Sequence, residues 1–181
     1  MNFEENLARF NSGSPMEYIE TLINGQHNWM INQLEVAHAN KLDSLLILGI
    51  HAVIENLNEY VFQIKGIEGF KFYLKNFVDG EEPGLKYSLI CAQINTMRNI
   101  IAHQFFSKLG HSFAFDRSLR TGYLISDGEL RFNPSMYFDQ FKSAFLQGGK
   151  TQYRVHDYQK FITEDTMIRG KKKFLESFNR W

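Results

Sequence analysis

From His27 to Ile64 the chain contains no proline, and apolar residues recur through the stretch as Leu42, Leu45, Leu46, Val53, Ile54, Leu57 and Val61. That spacing sets them on one helical face, and the second half of the stretch is apolar nearly all round, the pattern of a helix buried on every side. A chain carrying such an element must pack other helices around it. The spacing predicts one long helix from His27 to about Ile64, ended by Gly66.

The flanking segments agree with a helical fold. "SPMEYIETLING" has Ser14 at the N-cap, Pro15 at the first helical position, Glu17 completing a capping box and Gly25 just past the end. A helix over about Ile67 to Val78 leads into the loop "DGEEPG", residues 79–84. The next, about Leu85 to Lys108, sets Ile90, Ile94, Met97, Ile101 and Phe105 on one side. After Gly110 the composition turns strand-like in "FAF" (113–115) and "GYLISDGELRF" (122–132), where Asp127-Gly128 is a two-residue hairpin turn. Asn133-Pro134 restarts a helix with Phe138, Phe141 and Phe145 on one side, and Gly148-Gly149 stops it. A last helix, about Asp157 to Asn179, carries Phe161, Ile168, Phe174, Leu175 and Phe178. The expected fold is mainly α: one domain over residues 1–181, an up-and-down helical bundle with a small β-hairpin insertion at about 113–132.

Charge and cysteine content narrow the function classes. The chain of 181 residues balances 20 Lys and Arg against 20 Asp and Glu, so no overall basicity points to nucleic acid. Residues 1–60, however, hold two basic side chains against eight acidic ones, a net of −6, and the remainder carries +6. An anionic partner is expected to meet the C-terminal two thirds. Cys91, the single cysteine, excludes an intramolecular disulfide framework, fits a reducing compartment and has the apolar neighbours of a core thiol. "MNFEENLARF" has no apolar run of the signal-peptide kind, and the most apolar window, Leu42 to Ile54, is short for a spanning helix and includes Asp43 and His51. A soluble, cytoplasmic protein with no membrane partner is expected. His27, His38, His51, His111 and His156 show no metal-ligand spacing, so neither a metal nor a cofactor is expected. "AFLQGGKT", Ala144 to Thr151, satisfies only a relaxed phosphate-loop pattern and follows a helix where that chemistry needs a strand.

Chemistry concentrates in "MRNIIAHQFF", Met97 to Phe106. At about 100° per residue, Arg98 and His103 lie about 140° apart around the axis, with Asn95, Asn99, Ala102 and Phe106 in the arc between them and the apolar stripe opposite. A polar face with small residues suits a second helix, from this chain or another copy. Asn99 lies one turn before His103, where its amide can orient the imidazole. A histidine moves protons near neutrality, and a permanently charged arginine holds a phosphate or the charge that builds on it. Those two roles suffice for RNA cleavage in which the 2′-hydroxyl attacks its own phosphate, and a symmetric dimer would bring two such clusters together.

"RNIIAH", Arg98 to His103, resembles the R-x(4–6)-H motif of the HEPN superfamily, including the polar residue after the arginine, Asn99, and the alanine before the histidine. The motif falls late in a long helix of a helical chain, as in that superfamily. The resemblance implies a metal-independent endoribonuclease of toxin or host-defence type, dimeric through the motif, with Arg98 and His103 catalytic and Asn99 supporting them. It implies RNA as partner, with an antitoxin or regulatory protein beside it, and no DNA. In the subgroup paired with nucleotidyltransferase antitoxins a tyrosine stands two places after the histidine; Phe105 takes that place here and has no hydroxyl to modify. Some HEPN domains are not nucleases, which makes a non-catalytic binding module for a nucleotide or protein the alternative.

Phosphate contacts outside the motif are expected from "RGKKKF" (Lys171, Lys172 and Lys173), within residues 142–181, where nine basic side chains meet four acidic ones. Arg117, Arg120 and Arg131 around the hairpin add to this sequence-independent RNA-binding set.

Overall fold

The proline-free stretch folds as two helices rather than one. In the computed structural model, which describes residues 27–104, 113–144 and 160–178 together with Ala8, residues 12–14, Glu17, Tyr18, Thr21, Leu22, Gly25 and Tyr158, α1 is a π-helical turn His27–Ile31 continued as Asn32–Ala39. Helix α2 is Asp43–Leu57, continued by a π-helical turn Asn58–Phe62. Between them Lys41 takes a left-handed φ of 57°, Leu42 N donates to Ala37 O at 2.9 Å, and Lys41 N donates to His38 O at 3.1 Å. This pair of bonds closes off the last carbonyls of α1, a task glycine usually performs. Asn40 Nδ2 adds a bond to Val36 O at 2.9 Å. The turn lets α1 fold back on α2, and it leaves Leu42 and Leu45, expected on the buried face, exposed beside it. At the other end the stop comes at Gln63, with φ 59°, and Gly66 opens the next helix instead of ending this one.

Helix α2 is the axis of the fold. Leu46, Ile47, Ile50, Val53, Ile54, Leu57 and Val61 are all buried. Against it pack α1, α3 (Gly66–Tyr73, continued by the π-helical turn Leu74–Val78), α4 (Cys91–Gln104, entered through the 3-10 turn Tyr87–Ile90), α5 (Pro134–Ser143) and, on the turn Asn58–Phe62, α6 (Glu164–Phe178). The segment Asp43–Phe62 is long and apolar enough to cross a membrane, yet 56% of it is buried within the chain, as in a core helix. The protein is mainly helical, with one small sheet among the described residues.

That sheet has three strands, one more than the expected hairpin. β2 (Tyr123–Ser126) and β3 (Glu129–Phe132) pair antiparallel across Asp127 (φ 52°) and Gly128 (φ 78°), the two positive φ values that a two-residue turn of this hand requires. β1 (Phe113–Phe115) pairs parallel to β3, so the order is β1-β3-β2. Phe132 is buried against Tyr87 and Tyr137, at ring separations of 5.9 Å and 5.2 Å. Gly122 N also donates to Gly84 O at 3.0 Å. The sheet therefore packs on the entrance of α4 and the start of α5.

Two N-terminal caps follow the sequence. Asn133 Oδ1 accepts from Ser135 N (3.0 Å) and Met136 N (3.1 Å) at the start of α5. Ser14 and Glu17 form the expected capping box, with Ser14 N donating to Glu17 Oε2 at 2.7 Å and Glu17 N to Ser14 Oγ at 3.4 Å. Phe105, Phe145, Gly148-Gly149 and His156 lie outside the described residues.

Helix α6 approaches the end of α2 closely at Gly170. A Cβ there would stand 2.1 Å from Tyr60 O and 2.7 Å from the Tyr18 hydroxyl, which itself donates to Tyr60 O. Two backbones and a buried tyrosine thus converge where no side chain fits. Gly170→Ala is expected to cost about 1–3 kcal/mol, the usual range for overpacking, despite alanine's better helix propensity. A thermal melt decides it: a midpoint at or above that of the wild type would refute the close approach.

Candidate functional site

Helix α4 is held from both sides. Asp79 accepts from Ser88 N at 3.0 Å and from Ser88 Oγ at 2.5 Å, which ties down the 3-10 turn that leads into the helix. Ile90, Cys91, Ile94, Met97 and Ile101 are buried on the core side, as their spacing predicts. Burial also raises the pKa of the Cys91 thiol, in keeping with its place on the core side.

The motif residues occupy the rest of the helix. His103 is exposed and no described residue hydrogen-bonds its ring. Arg98, with a side chain 27% exposed, lies at the border toward α2. Its Nη1 donates to Asn99 Oδ1 at 2.9 Å, and its Nη2 faces Glu55 of α2, at 3.2 Å from Oε1 and 3.1 Å from Oε2. Asn99 thus orients the guanidinium, whereas the sequence pointed it at the imidazole.

Two residues of α2 join this cluster unannounced. Glu55 is the partner of Arg98, and His51, one turn earlier, is buried with its ring 3.8 Å from that of Phe70 and no hydrogen-bond partner at Nδ1. Burial, helped by the Arg98 cation, pushes the His51 pKa down to about 3. Two ionisable side chains one turn apart in an apolar helix were the available signal.

The sign of the His51 effect follows from linkage. The unfolded chain takes up a proton near pH 6.5 and the folded chain only near pH 3, so the stability present above about 6.5 is lost as pH falls. Between about pH 7 and pH 5, wild type should lose about 2 kcal/mol relative to His51→Phe. Urea unfolding of both proteins at each pH checks this; parallel pH profiles would exclude a buried neutral His51.

Most of the expected phosphate contacts are already engaged. Arg117 binds Asp43 (Nη2 at 2.6 Å, Nε at 3.0 Å), Arg131 binds Asp116, Lys173 binds Glu59 at 2.5 Å, Lys172 lies 4.0 Å from Glu176 and Lys171 donates to Gly13 O at 3.0 Å. Arg120 is exposed, with no partner among the described residues. The uneven charge along the chain has a structural use: Glu35, Asp43, Glu55 and Glu59, half of the eight N-terminal acids, pair with Lys142, Arg117, Arg98 and Lys173. These pairs do not gather into one patch. Arg117 sits at the start of α2 and Lys173 at its end, roughly 24 Å apart along the helix axis. Arg98 and Lys173, however, bind carboxylates one turn apart, so those two cations are neighbours.

No family model, curated protein or solved structure matches this chain. Among the described residues no group of three or more His, Cys, Asp and Glu is placed to hold a metal ion.

Proposed function

We propose that the protein is a dimeric endoribonuclease of the HEPN type, an up-and-down bundle in which Arg98 and His103 act on an RNA phosphodiester. One observation carries this: Arg98, Asn99 and His103 lie outside the core face of α4, with the imidazole in solvent and the guanidinium set by Asn99. In such a reaction one His103 takes the proton of the 2′-hydroxyl, whose oxygen attacks the adjacent phosphorus. The His103 of a second copy protonates the departing 5′-oxygen, and Arg98 stabilises the charge on the non-bridging oxygens. The products are a 2′,3′-cyclic phosphate and a free 5′-hydroxyl, and the chemistry requires no metal ion.

The outward face of the helix favours pairing. Leu89 (73% exposed) in the entering turn, then Ala92, Thr96, Asn99 and His103 of α4, succeed one another at alternating spacings of three and four, a mostly polar seam with small residues at its centre that suits a second α4 across a two-fold axis. The biological setting consistent with this activity is a cytoplasmic toxin or defence effector under an antitoxin or regulatory protein. The test is incubation of the purified protein with mixed cellular RNA in chelator, with the fragment ends identified and the mass measured in solution. Intact RNA with a folded dimer would leave the second reading, a non-catalytic module binding a nucleotide or protein at Arg98. That reading draws on the same guanidinium, which Asn99 holds in place.

A further inference from the structure

We propose that Glu55 is a latch: in the free chain it occupies the face of Arg98 on which a phosphate would sit, and it must swing away before an oxyanion can be held by two bonds. The inference deepens the ribonuclease reading and rests on it for the identity of the anion.

A guanidinium offers an oxyanion two edges with paired N–H donors, Nη1 with Nη2 and Nε with Nη2. Both edges need Nη2. Here Nη2 faces both oxygens of Glu55, at 3.2 Å and 3.1 Å, while Nη1 donates to Asn99 at 2.9 Å. A phosphate arriving at Arg98 therefore meets the Glu55 carboxylate at the nitrogen that both edges share, and like charge opposes a two-bond hold until that carboxylate leaves.

The two holders differ in how readily they let go. Glu55 is 52% exposed, and an ion pair this open to water is weak enough for a competing anion to displace. Asn99 is the next residue along α4, half-buried, and its bond to Nη1 does not compete for Nη2. When the latch opens, Asn99 keeps the guanidinium in place. Beneath, His51 stays neutral, so Arg98 remains the cation that a phosphate and Glu55 contest.

The experiment uses full-length wild type, Glu55→Gln, Arg98→Ala and the double variant, labelled with ¹⁵N-arginine and titrated with inorganic phosphate. The side-chain Nε signal missing from Arg98→Ala identifies Arg98 and reports binding there. Glu55→Gln, which keeps size and removes charge, should half-saturate at about two- to fivefold lower phosphate than wild type, the factor that release of a half-exposed ion pair gives. An unchanged or weaker response in Glu55→Gln, or an Arg98 signal that phosphate moves in neither protein, overturns the latch. Parallel RNA digestion separates the two ideas. A tightened phosphate response without RNA cleavage keeps the latch and removes the nuclease; cleavage by wild type without tightening does the reverse.

Discussion

On the proposed ribonuclease reading, His103→Ala is expected to lower RNA cleavage by about 10²–10⁴-fold, the usual contribution of a positioned acid–base group, while the melting temperature stays unchanged. The two halves of this result have separate causes. His103 is exposed and contributes nothing to the buried face of α4, so its removal opens no cavity and leaves no polar group orphaned. Proton transfer, by contrast, has no substitute among the described residues of α4: Asn99 does not titrate and is bound to Arg98, and Cys91 is buried on the opposite side. Arg98→Ala should also lower cleavage, by about 10²–10³-fold, at little cost to folding because its ion pair with Glu55 is partly exposed. Rates measured on 5′-labelled RNA beside circular dichroism decide it. A His103→Ala protein that cleaves as fast as wild type would end the assignment.

Phe77→Ala should do the opposite, lowering stability by about 3–5 kcal/mol without touching the motif. Phe77 lies in the π-helical turn after α3, is 3% exposed, and its ring meets those of Tyr158 (4.5 Å), Tyr73 (5.0 Å), Phe62 (5.4 Å) and Phe161 (5.6 Å). These rings come from the end of α2, from α3 and from the segment leading into α6, so truncation empties a junction of three elements at once. Such a packed aromatic group relaxes poorly into the gap, which places the cost toward the upper part of the range. A loss this large should lower the midpoint by roughly 6–20 °C in a domain of this size, and Phe77→Leu should recover part of it. Urea unfolding gives the free energy directly. A loss below about 1 kcal/mol would mean that the cluster does not join the elements it touches.

The comparison of these two residues shows what was legible from sequence. The apolar spacing of α4 identified Ile90, Ile94, Met97 and Ile101 as core, and the same periodicity left Arg98 and His103 off the core side. Asp127-Gly128 specified its turn and Asn133-Pro134 its cap because each acts through its own backbone and the next few amides. The break at Lys41 was not legible. A left-handed lysine inside a proline-free run is imposed by the packing of α1 back on α2, which local propensity does not register. The parallel pairing of β1 with β3 was hidden for the same reason, since partners so distant in sequence leave no periodic trace.

By itself the sequence determined much of what depends on residues within a turn or two: the buried face of α4, the caps at Ser14 and Asn133, the turn at Asp127-Gly128, and that a guanidinium and an imidazole share one helix. The tertiary structure decided what those groups meet. It placed Glu55 on Arg98, bonded Asn99 to that guanidinium, buried His51 as a neutral ring and paired half of the acids in the first third of the chain with bases far downstream. Side-chain charge and hydrogen bonding act over a few ångströms of space, and only the folded chain sets which residues share that distance.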